Sequence, residues 1–553
     1  MNHSPSVPTE RSPRRIRRAA TPLFALGSIL SVGNVIAGDD YRHVIRPGDT
    51  LIGIAREMME DSRDWLRVQR LNGIADPHRL MPGMSLRIPV PLLRREPVQA
   101  RLASITGDVR SGGAPLAAGA SIGSGAELMT GTQSFAVVEL IDGTHLVLQP
   151  DSRLRVEELS RYRNTTRPQT RLRLESGRVE SIVTKGSTPQ PQYRIETPTV
   201  AIGVRGTRFR VGTDDASTST RTEVTDGKVD VKGRSAGAKA IRVAAGYGVV
   251  AGTDGKVSTP VTLLSSPDLG GLPKLHERTI VRLAFPPLAG AQRYRLQVGV
   301  GSDMGEMLAE AVGDQPEAKF AGLADGDYVL RVRGIDARGL EGKDGDFAFT
   351  LKARPEPPFA VSPVGGTKLR AESVELAWAT NPEAVGYRVQ LATDGGFAAP
   401  IADIDGIENT TLVPTVKLTP GDYFWRARSI RANGDAGPWG DAQRFVLGPP
   451  PMAPEPPAIG KDQLTVAWAG EPGQSFLFQL ARDPTFADLV VEQDLQQPTT
   501  TLARPKAGLY FMRVRATDAD GFVGPFTSPQ TVVVPNPPPP WWLPLLMLVP
   551  LVL

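Results

Sequence analysis

The side chains that usually carry enzyme chemistry are few and scattered in this sequence. Cysteine is absent, and the five histidines, at positions 3, 43, 78, 145 and 276, lie far apart along the chain. A Cys nucleophile, a Cys-ligated metal, a disulfide framework and a lipidated N-terminal Cys are therefore excluded. The scattered histidines therefore do not favour a His-based metal site or general base. We expect no catalytic residue, no metal and no cofactor.

Two short motifs resemble reactive sites but lack the context that chemistry needs. Gly119 to Gly123 matches the G-x-S-x-G pattern, which requires a strand before the serine and a helix after it. Here it lies among Gly and Ala in a strand-rich region without a plausible His partner. Asp518 to Gly521 is half of a calcium loop but lacks the further acids and the closing Glu. We interpret it as a hairpin turn.

A more promising set of polar residues lies in two turns near the N-terminus. Residues 41–46 and 84–89 predict strands, and between them two apolar patterns at helical spacing predict helices. Pro47-Gly48-Asp49-Thr50 precedes the first helix and Asn72-Gly73 ends the second. Side chains and backbone groups of these types can hydrogen-bond a ligand. The same residue types also cap helices, so a purely architectural role stays open.

This βααβ unit, residues 41–91, resembles a LysM domain. The resemblance rests on the Pro-Gly-Asp-Thr-Leu turn, on Leu71 to Ile74 with Asp76-Pro77, and on Pro82-Gly83. It implies a shallow groove that binds N-acetylglucosamine-containing glycan such as peptidoglycan. One departure is Ile52, where an aromatic often stands. The implied glycan-binding residues are Gly48, Asp49, Thr50, Leu51, Asn72, Gly73 and Ile74.

From residue 98 to 258 the pattern changes to short strands. Residues 135–148 predict a hairpin around Asp142-Gly143, and we expect two further hairpins around Ser176-Gly177 and Asp226-Gly227. The region resembles the FecR periplasmic domain, most clearly from Thr197 to Val211. That resemblance implies an all-β fold and an envelope protein partner. In the founding members this domain passes a receptor signal to a sigma factor through a cytoplasmic segment, which we expect this chain to lack.

The region from residue 276 to 534 contains three similar units. Leu-Ala-Phe285, Leu-Ala-Trp378 and Val-Ala-Trp468 recur about every 90 residues, and each unit has a later strand that begins with Tyr. Proline-rich joints separate the units. They resemble fibronectin type III domains, at residues 276–353, 358–448 and 457–534, which implies β-sandwiches that act as spacers or protein-binding modules.

Paired arginines raise the question of anion binding. Arg205 and Arg208 flank a Gly turn of the FecR-like region, and each repeat carries a pair two residues apart on its Tyr strand. These could hold an anionic ligand. We favour structural charges in the first case and solvated arginines paired with carboxylates in the second. The repeat pairs are Arg331/Arg333, Arg426/Arg428 and Arg513/Arg515.

The two ends of the chain predict its location. Residues 1–38 combine five arginines with an apolar run that ends in Ala37, which is typical of an export signal, with an uncleaved anchor as the alternative. The hydrophobic tail, residues 541–553, begins with Trp541-Trp542 and could contact a membrane. Without the first 38 residues the chain has 58 basic and 58 acidic side chains, which argues against nucleic-acid binding.

Together these features predict a mainly β multidomain protein of the periplasm or cell envelope, with membrane association through its tail. A small βααβ LysM module, an all-β FecR-like domain and three fibronectin type III-like β-sandwiches would follow one another. The predicted function is non-enzymatic binding of peptidoglycan, with the β domains displayed for protein interaction. The alternative is a periplasmic sensor or regulator of FecR type that transmits a signal from an envelope partner. A wall hydrolase is a third, less favoured reading.

Overall fold

The computed structural model describes residues 40–165, 168–185, 193–214, 219–302 and 304–536. The predicted export signal (residues 1–38) and the hydrophobic tail (residues 541–553) lie outside these ranges. Within them the chain is mostly β, with two short α-helices. None of the helices described is long and apolar enough to cross a membrane.

The first unit, residues 40–93, has the predicted βααβ order. Its strands β1 and β2 pair antiparallel, and the buried side chains of α1 pack beneath them together with Val68 of α2. The Thr50 side chain caps α1, and Gly73 ends α2 in a left-handed conformation (φ 63°). The elements are β1 (Asp40–Val44), α1 (Leu51–Met58), α2 (Trp65–Asn72) and β2 (Ser85–Pro89), with 3-10 turns at Ser62–Asp64 and Val90–Leu92.

The next eighteen strands close into a barrel of two opposed sheets around one apolar core. Valine, leucine and isoleucine alternate with polar residues along most of them, so one face of each sheet is buried. The strands are β3 (Arg95–Pro97), β4 (Ala100–Thr106), β5 (Val109–Ser111), β6 (Ala114–Pro115), β7 (Ser121–Ile122), β8 (Glu127–Thr130), β9 (Phe135–Glu139), β10 (His145–Leu148), β11 (Arg153–Tyr162), β12 (Pro168–Ile182), β13 (Tyr193–Glu196), β14 (Val200–Val204), β15 (Arg208–Thr213), β16 (Thr220–Asp226), β17 (Lys228–Gly233), β18 (Ala240–Ala244), β19 (Tyr247–Ala251) and β20 (Val261–Thr262).

One of the three predicted hairpins is present and two are wrong. β9 and β10 pair around Asp142-Gly143 as expected. Ser176-Gly177 is not a turn, because β12 runs through it and passes from one sheet, where it pairs with β11, to the other, where it pairs with β15. Gly177 has φ 83°, and a Cβ there would lie 2.2 Å from the Ser152 hydroxyl, so the strand bends at a glycine. At Asp226-Gly227 the chain also changes sheets, since β16 and β17 pair with different neighbours.

The remaining strands form three two-sheet units, which we call repeats 1, 2 and 3. Repeat 1 comprises β21 (Leu275–His276), β22 (Val281–Ala284), β23 (Arg293–Val300), β24 (Glu306–Gly313), β25 (Glu317–Phe320), β26 (Gly326–Ile335) and β27 (Gly345–Leu351). Repeat 2 comprises β28 (Ala360–Ser362), β29 (Thr367–Arg370), β30 (Leu376–Trp378), β31 (Gly386–Ala392), β32 (Ala402–Ile407), β33 (Thr411–Leu412), β34 (Gly421–Ile430) and β35 (Gln443–Gly448). Repeat 3 comprises β36 (Ala458–Ile459), β37 (Gln463–Ala467), β38 (Ser475–Ala481), β39 (Leu489–Leu495), β40 (Thr499–Ala503), β41 (Gly508–Thr517) and β42 (Gln530–Val534).

The sequence signature of the repeats forms the centre of each sandwich. Trp378 of repeat 2 is buried against Trp425. The tyrosine that opens the long strand is buried in every repeat, and its hydroxyl donates to the carbonyl four residues earlier, as Tyr423 does to Thr419 at 2.7 Å. This arrangement is a tyrosine corner, a feature of many β-sandwiches, and it fixes the entry into the long strand.

Candidate functional site

The two predicted sugar-binding loops of the first unit meet in the structure. The backbone N–H of Leu51, which starts α1, donates to the carbonyl of Pro77 at 3.0 Å. The first loop, residues 46–50, therefore lies beside the second loop, residues 73–77. We call the surface formed by these loops and by the exposed edge of Ile52 the cleft.

Asp49 and Thr50, two of the predicted glycan ligands, are engaged by the fold. The Asp49 carboxylate accepts from the backbone N–H of Arg46 at 2.7 Å and lies 3.2 Å from Nε2 of His43. The hydrogen bond from Arg46, followed by the contact with His43, keeps the pKa of Asp49 below its ordinary value despite partial burial. The Thr50 hydroxyl accepts from the N–H of Gly53 at 3.0 Å. Both residues shape the first loop.

Leu51 and Asn72 are also architectural. Leu51 has no exposed surface and belongs to the core of the first unit. The Asn72 amide donates to the carbonyls of Val68 (2.8 Å) and Arg87 (2.7 Å), and its oxygen accepts from the N–H of Arg87 at 2.7 Å. Both N–H donors and one acceptor position are used, so Asn72 joins α2 to β2 and holds the second loop in place.

The groups that remain for a ligand are glycine backbone and apolar edges. Gly48 and Gly73 are exposed with positive φ, and a Cβ at either would meet no atom within 4 Å. Open space therefore lies above both loops, and a ligand can approach their backbone closely. Ile74 is half-buried and packs against the core beneath. Sequence reasoning missed the exposed Ala75, although its neighbour Asp76 belonged to the motif that carried the resemblance.

The first unit is fixed to the barrel rather than tethered to it. The Asn164 side chain, which follows β11, donates to the carboxylate of Glu57 in α1, the N–H of Arg94 donates to the carbonyl of Met58 (2.7 Å), and Tyr162 of β11 packs against the core of the first unit. The chain between them continues directly through a 3-10 turn into β3. The cleft therefore has a set orientation relative to the barrel.

A second polar cluster lies between the barrel and repeat 1, where the expectation for one arginine pair is wrong. Arg331 and Arg333 were expected on a solvated face but are only 4% and 0% exposed. They face the outer surface of a barrel sheet, so a long-range docking contact, which no local pattern shows, buries them. The ionic interface comprises Arg178, Glu180, Arg208, Arg210 and Glu223 of the barrel with Arg295, Glu310, Arg331, Arg333, Glu341, Asp344 and Asp346 of repeat 1.

Arg333 is the centre of the ionic interface. It donates to Glu180 of the barrel at 2.7 Å and to Asp344 of its own repeat at 2.5 Å. Burial by itself would lower the pKa of Arg333, but Glu180, Asp344 and Glu341 outweigh it and raise the pKa. Burial likewise opposes ionisation of Glu341, and the surrounding arginines hold its pKa well below the ordinary value. Arg333 and the three carboxylates around it are therefore charged at neutral pH.

Apolar contacts flank the ionic interface. Phe135 of β9 packs with Met304 and Met307 of repeat 1, and all three are at least 96% buried. The Thr106 hydroxyl donates to the Met307 carbonyl at 2.5 Å. This covering explains why the β9–β10 hairpin is apolar on both faces, since one side lines the barrel core and the other contacts repeat 1. Repeat 1 is thus packed onto the barrel rather than held at a distance.

The other sequence candidates take structural positions. Arg208 pairs with Glu180 at 3.1 Å. Gly119 to Gly123 contains the two-residue strand β7 and no helix follows it, so the context of a nucleophile elbow is missing. The Lys368 ammonium of repeat 2 donates to the carboxylates of Asp518 and Asp520 at 2.5 and 3.0 Å. No group of three or more acidic or His residues suited to a metal occurs in the part of the chain that the structure describes.

Comparison with known families agrees with two of the three sequence resemblances. Residues 43–89 match the family model described as LysM domain, and residues 126–257 match the model described as FecR protein. The chain is therefore a multidomain β protein that carries a LysM and a FecR domain. Both kinds of domain are typical of the cell envelope or periplasm.

Solved structures give only weak likenesses. Two crystal structures of a candidate anti-sigma factor from Parabacteroides distasonis ATCC 8503 are each 18% identical, with a TM-score of 0.21. The match covers 25% of this chain and 59% of theirs. The FN1–FN3 domains of chicken CNTN1 are 18% identical over 50% of this chain and 100% of that one, with a TM-score of 0.20. At these TM-scores neither likeness adds to the assignment of this chain.

Proposed function

We propose that this protein is exported to the cell envelope, where it binds peptidoglycan glycan through the cleft and presents its β domains to protein partners without catalysing a reaction. The observation that supports the glycan half is the match of residues 43–89 to the LysM model, combined with open space above Gly48 and Gly73. The membrane contact expected of residues 541–553 belongs to the same proposal.

The cleft would bind a sugar mainly through its backbone. Two glycines with positive φ leave the peptide groups of both loops accessible, and these can pair with the amide of an N-acetyl group. The edges of Ile52 and Ile74 offer apolar contact to the acetamido methyl and the sugar face. Such a shallow site binds weakly, so we expect avidity from contacts elsewhere in the chain to matter.

Pelleting with insoluble sacculi tests the glycan half. Asn72 is a poor choice for mutation because its loss would disrupt α2 and β2. Ile52→Glu/Ala75→Glu instead places two charges at the surface of the cleft, and Leu66→Glu/Val533→Glu, at exposed positions of α2 and β42, is the matched control. We expect wild type and the control to pellet and the cleft variant to stay in solution.

The second candidate function is a sensor or regulator of FecR type. It draws support from the fixed contacts that join the first unit, the barrel and repeat 1, because a rigid body can pass a docking event from one module to another. If the wild type fails to pellet, this candidate gains. It predicts that deleting the barrel changes sigma-factor-dependent transcription, while the cleft variant does not. Turnover of labelled peptidoglycan by the wild type would contradict both candidates.

A further inference from the structure

The three repeats share one structural feature on the outer face of the larger sheet. A hydrophobic side chain with positive φ occupies the same turn in each repeat, at position 304, 397 or 486, and in repeats 2 and 3 it covers the first arginine of the pair. A second side chain lies beside both arginines of each pair. The β-bridges 335–341, 430–436 and 517–523 align the repeats, so this second side chain is Asp344, Trp439 or Phe526. We call the four side chains together the ladder.

The carboxylates that neutralise the two ladder arginines become fewer from repeat 1 to repeat 3. In repeat 1 the ladder itself contains an acid, Asp344, and Glu180 of the barrel also pairs with Arg333. In repeat 2 Trp439 replaces the acid, but Asp403 and Glu277 lie close enough for their charge to act on Arg426. The ladder of repeat 2 is also partly covered, since Arg278 of repeat 1 donates to the Trp439 carbonyl at 3.3 Å.

The ladder of repeat 3 has no such compensation. Arg513 lies 3.9 and 4.0 Å from the ring centroids of Phe486 and Phe526, and Arg515 lies 4.9 Å from the centroid of Phe526. Among the residues that the structure describes, neither arginine has a carboxylate within 4.0 Å. Arg513 donates only to the neutral Gln479, at 2.8 Å. Burial, and then the like charge of Arg515, lower the pKa of Arg513. Glu492 reaches Arg513 only through the amide of Gln479, to which it is hydrogen-bonded. Two half-buried cations thus share one face without a directly bonded carboxylate.

We infer that the ladder face of repeat 3 is a docking site for a protein surface that bears carboxylates, in the way that repeat 1 accepts Glu180. The established interface supplies the precedent, because the equivalent arginines of repeat 1 are completed by a carboxylate of another module. Carboxylate and guanidinium form strong, directional hydrogen bonds when solvent is excluded, and the flanking rings provide that exclusion. This site goes beyond glycan binding by the cleft and does not depend on it.

A short acidic protein segment fits this face better than an anionic polymer does. Polyanion binding gains strength from many neutralised charges, and repeat 3 offers two unpaired cations in its ladder. Another arginine of the repeat, Arg482, is already paired with Asp488 at 3.1 Å. Two cations beside aromatic rings suffice to anchor a pair of carboxylates.

Binding of the full chain to an immobilised hexaglutamate peptide, measured at low and at high salt, tests the inference. We expect Arg513→Gln/Arg515→Gln to weaken binding by about tenfold or more. Lys461→Gln/Arg482→Gln, which removes the same charge from other exposed sites of repeat 3, should change it less than twofold. Phe526→Asp, which gives repeat 3 the acid of repeat 1, should also abolish binding to the acidic peptide. Circular dichroism checks that each variant is folded.

Three results would overturn the inference. One is no binding of the wild type at low salt, and another is an equal loss in the ladder and control variants. The third is tighter binding of dextran sulfate through the same two arginines, which would make the face a polymer site. Sacculus pelleting by the cleft is unaffected by any of these outcomes, so the two proposals fail separately.

Discussion

The ionic interface predicts that one buried arginine holds repeat 1 on the barrel. Arg333 is fully buried and donates to Glu180, Asp344 and Glu341 at 2.7, 2.5 and 3.3 Å. Replacing Arg333 by alanine leaves three buried carboxylates short of a counter-charge. Removing one partner from a buried ion pair costs about 3–5 kcal/mol. The equivalent Arg515→Ala removes only a half-exposed stack on Phe526, worth about 0.5–1 kcal/mol.

Hydrogen exchange of the full chain, followed by mass spectrometry, measures this difference locally. We expect Arg333→Ala to lower the protection of the second half of β12 and of β26 by more than about a hundredfold. The protection of β41 should stay unchanged in this variant, because repeat 3 lies outside the interface. Arg515→Ala should slightly lower the protection of β41 and leave that of β12 and β26 unchanged.

The reasoning would be refuted if Arg333→Ala and Arg515→Ala changed protection by similar small factors. That result would mean that the apolar contacts of Phe135, Met304 and Met307 hold the two modules together without the ions. A uniform loss of protection over the whole barrel would instead show that Arg333 is needed for folding, not only for docking.

Three further predictions concern the same framework. The pKa values of Glu180, Glu341 and Asp344 lie below their ordinary values, so the stability that their ionised forms contribute is present above the unfolded pKa and lost on acidification. The denaturant midpoint of unfolding should therefore be constant from about pH 8 to 5 and fall below about pH 4. This fall should be smaller in Glu341→Gln. Asn72→Ala should destabilise the first unit by about 2–3 kcal/mol, since it removes three hydrogen bonds of about 1 kcal/mol each, whereas Leu66→Ala should have little effect on the hydrogen-exchange protection of α2 and β2. Gly177→Ala should destabilise the barrel by more than about 1 kcal/mol, because it combines a positive φ with a clash against Ser152, and an unchanged melting temperature would contradict this.

Local patterns predicted much of the architecture. The helical spacing from Leu51 to Met58, the Asp-Gly turn at residue 143 and the tyrosines of the three repeats each have an effect within a few residues, so the sequence shows them directly. Ser176-Gly177 was misread because a Gly in a strand and a Gly in a turn share one local signal. Only the pairing of β12 with two different strands tells them apart.

Long-range contacts explain the larger error. Arg331 and Arg333 repeat the pattern of Arg513 and Arg515, so periodicity gives them the same environment. What separates them is Glu180, which is 153 residues before Arg333 in the chain, and the exchange of Phe526 for Asp344. The cleft shows the converse case. Its predicted residues lie on adjoining loops, but the side chains of Asp49 and Asn72 support the loops and leave the glycine backbone to face solvent.

The proposal that the cleft binds glycan is tested most directly by pelleting the full chain with purified sacculi and quantifying the bound fraction. Wild type and Leu66→Glu/Val533→Glu should co-sediment and be released by soluble N-acetylglucosamine oligomers, while Ile52→Glu/Ala75→Glu should remain in the supernatant. Equal sedimentation of the cleft variant and the wild type, or none by either, would contradict the account.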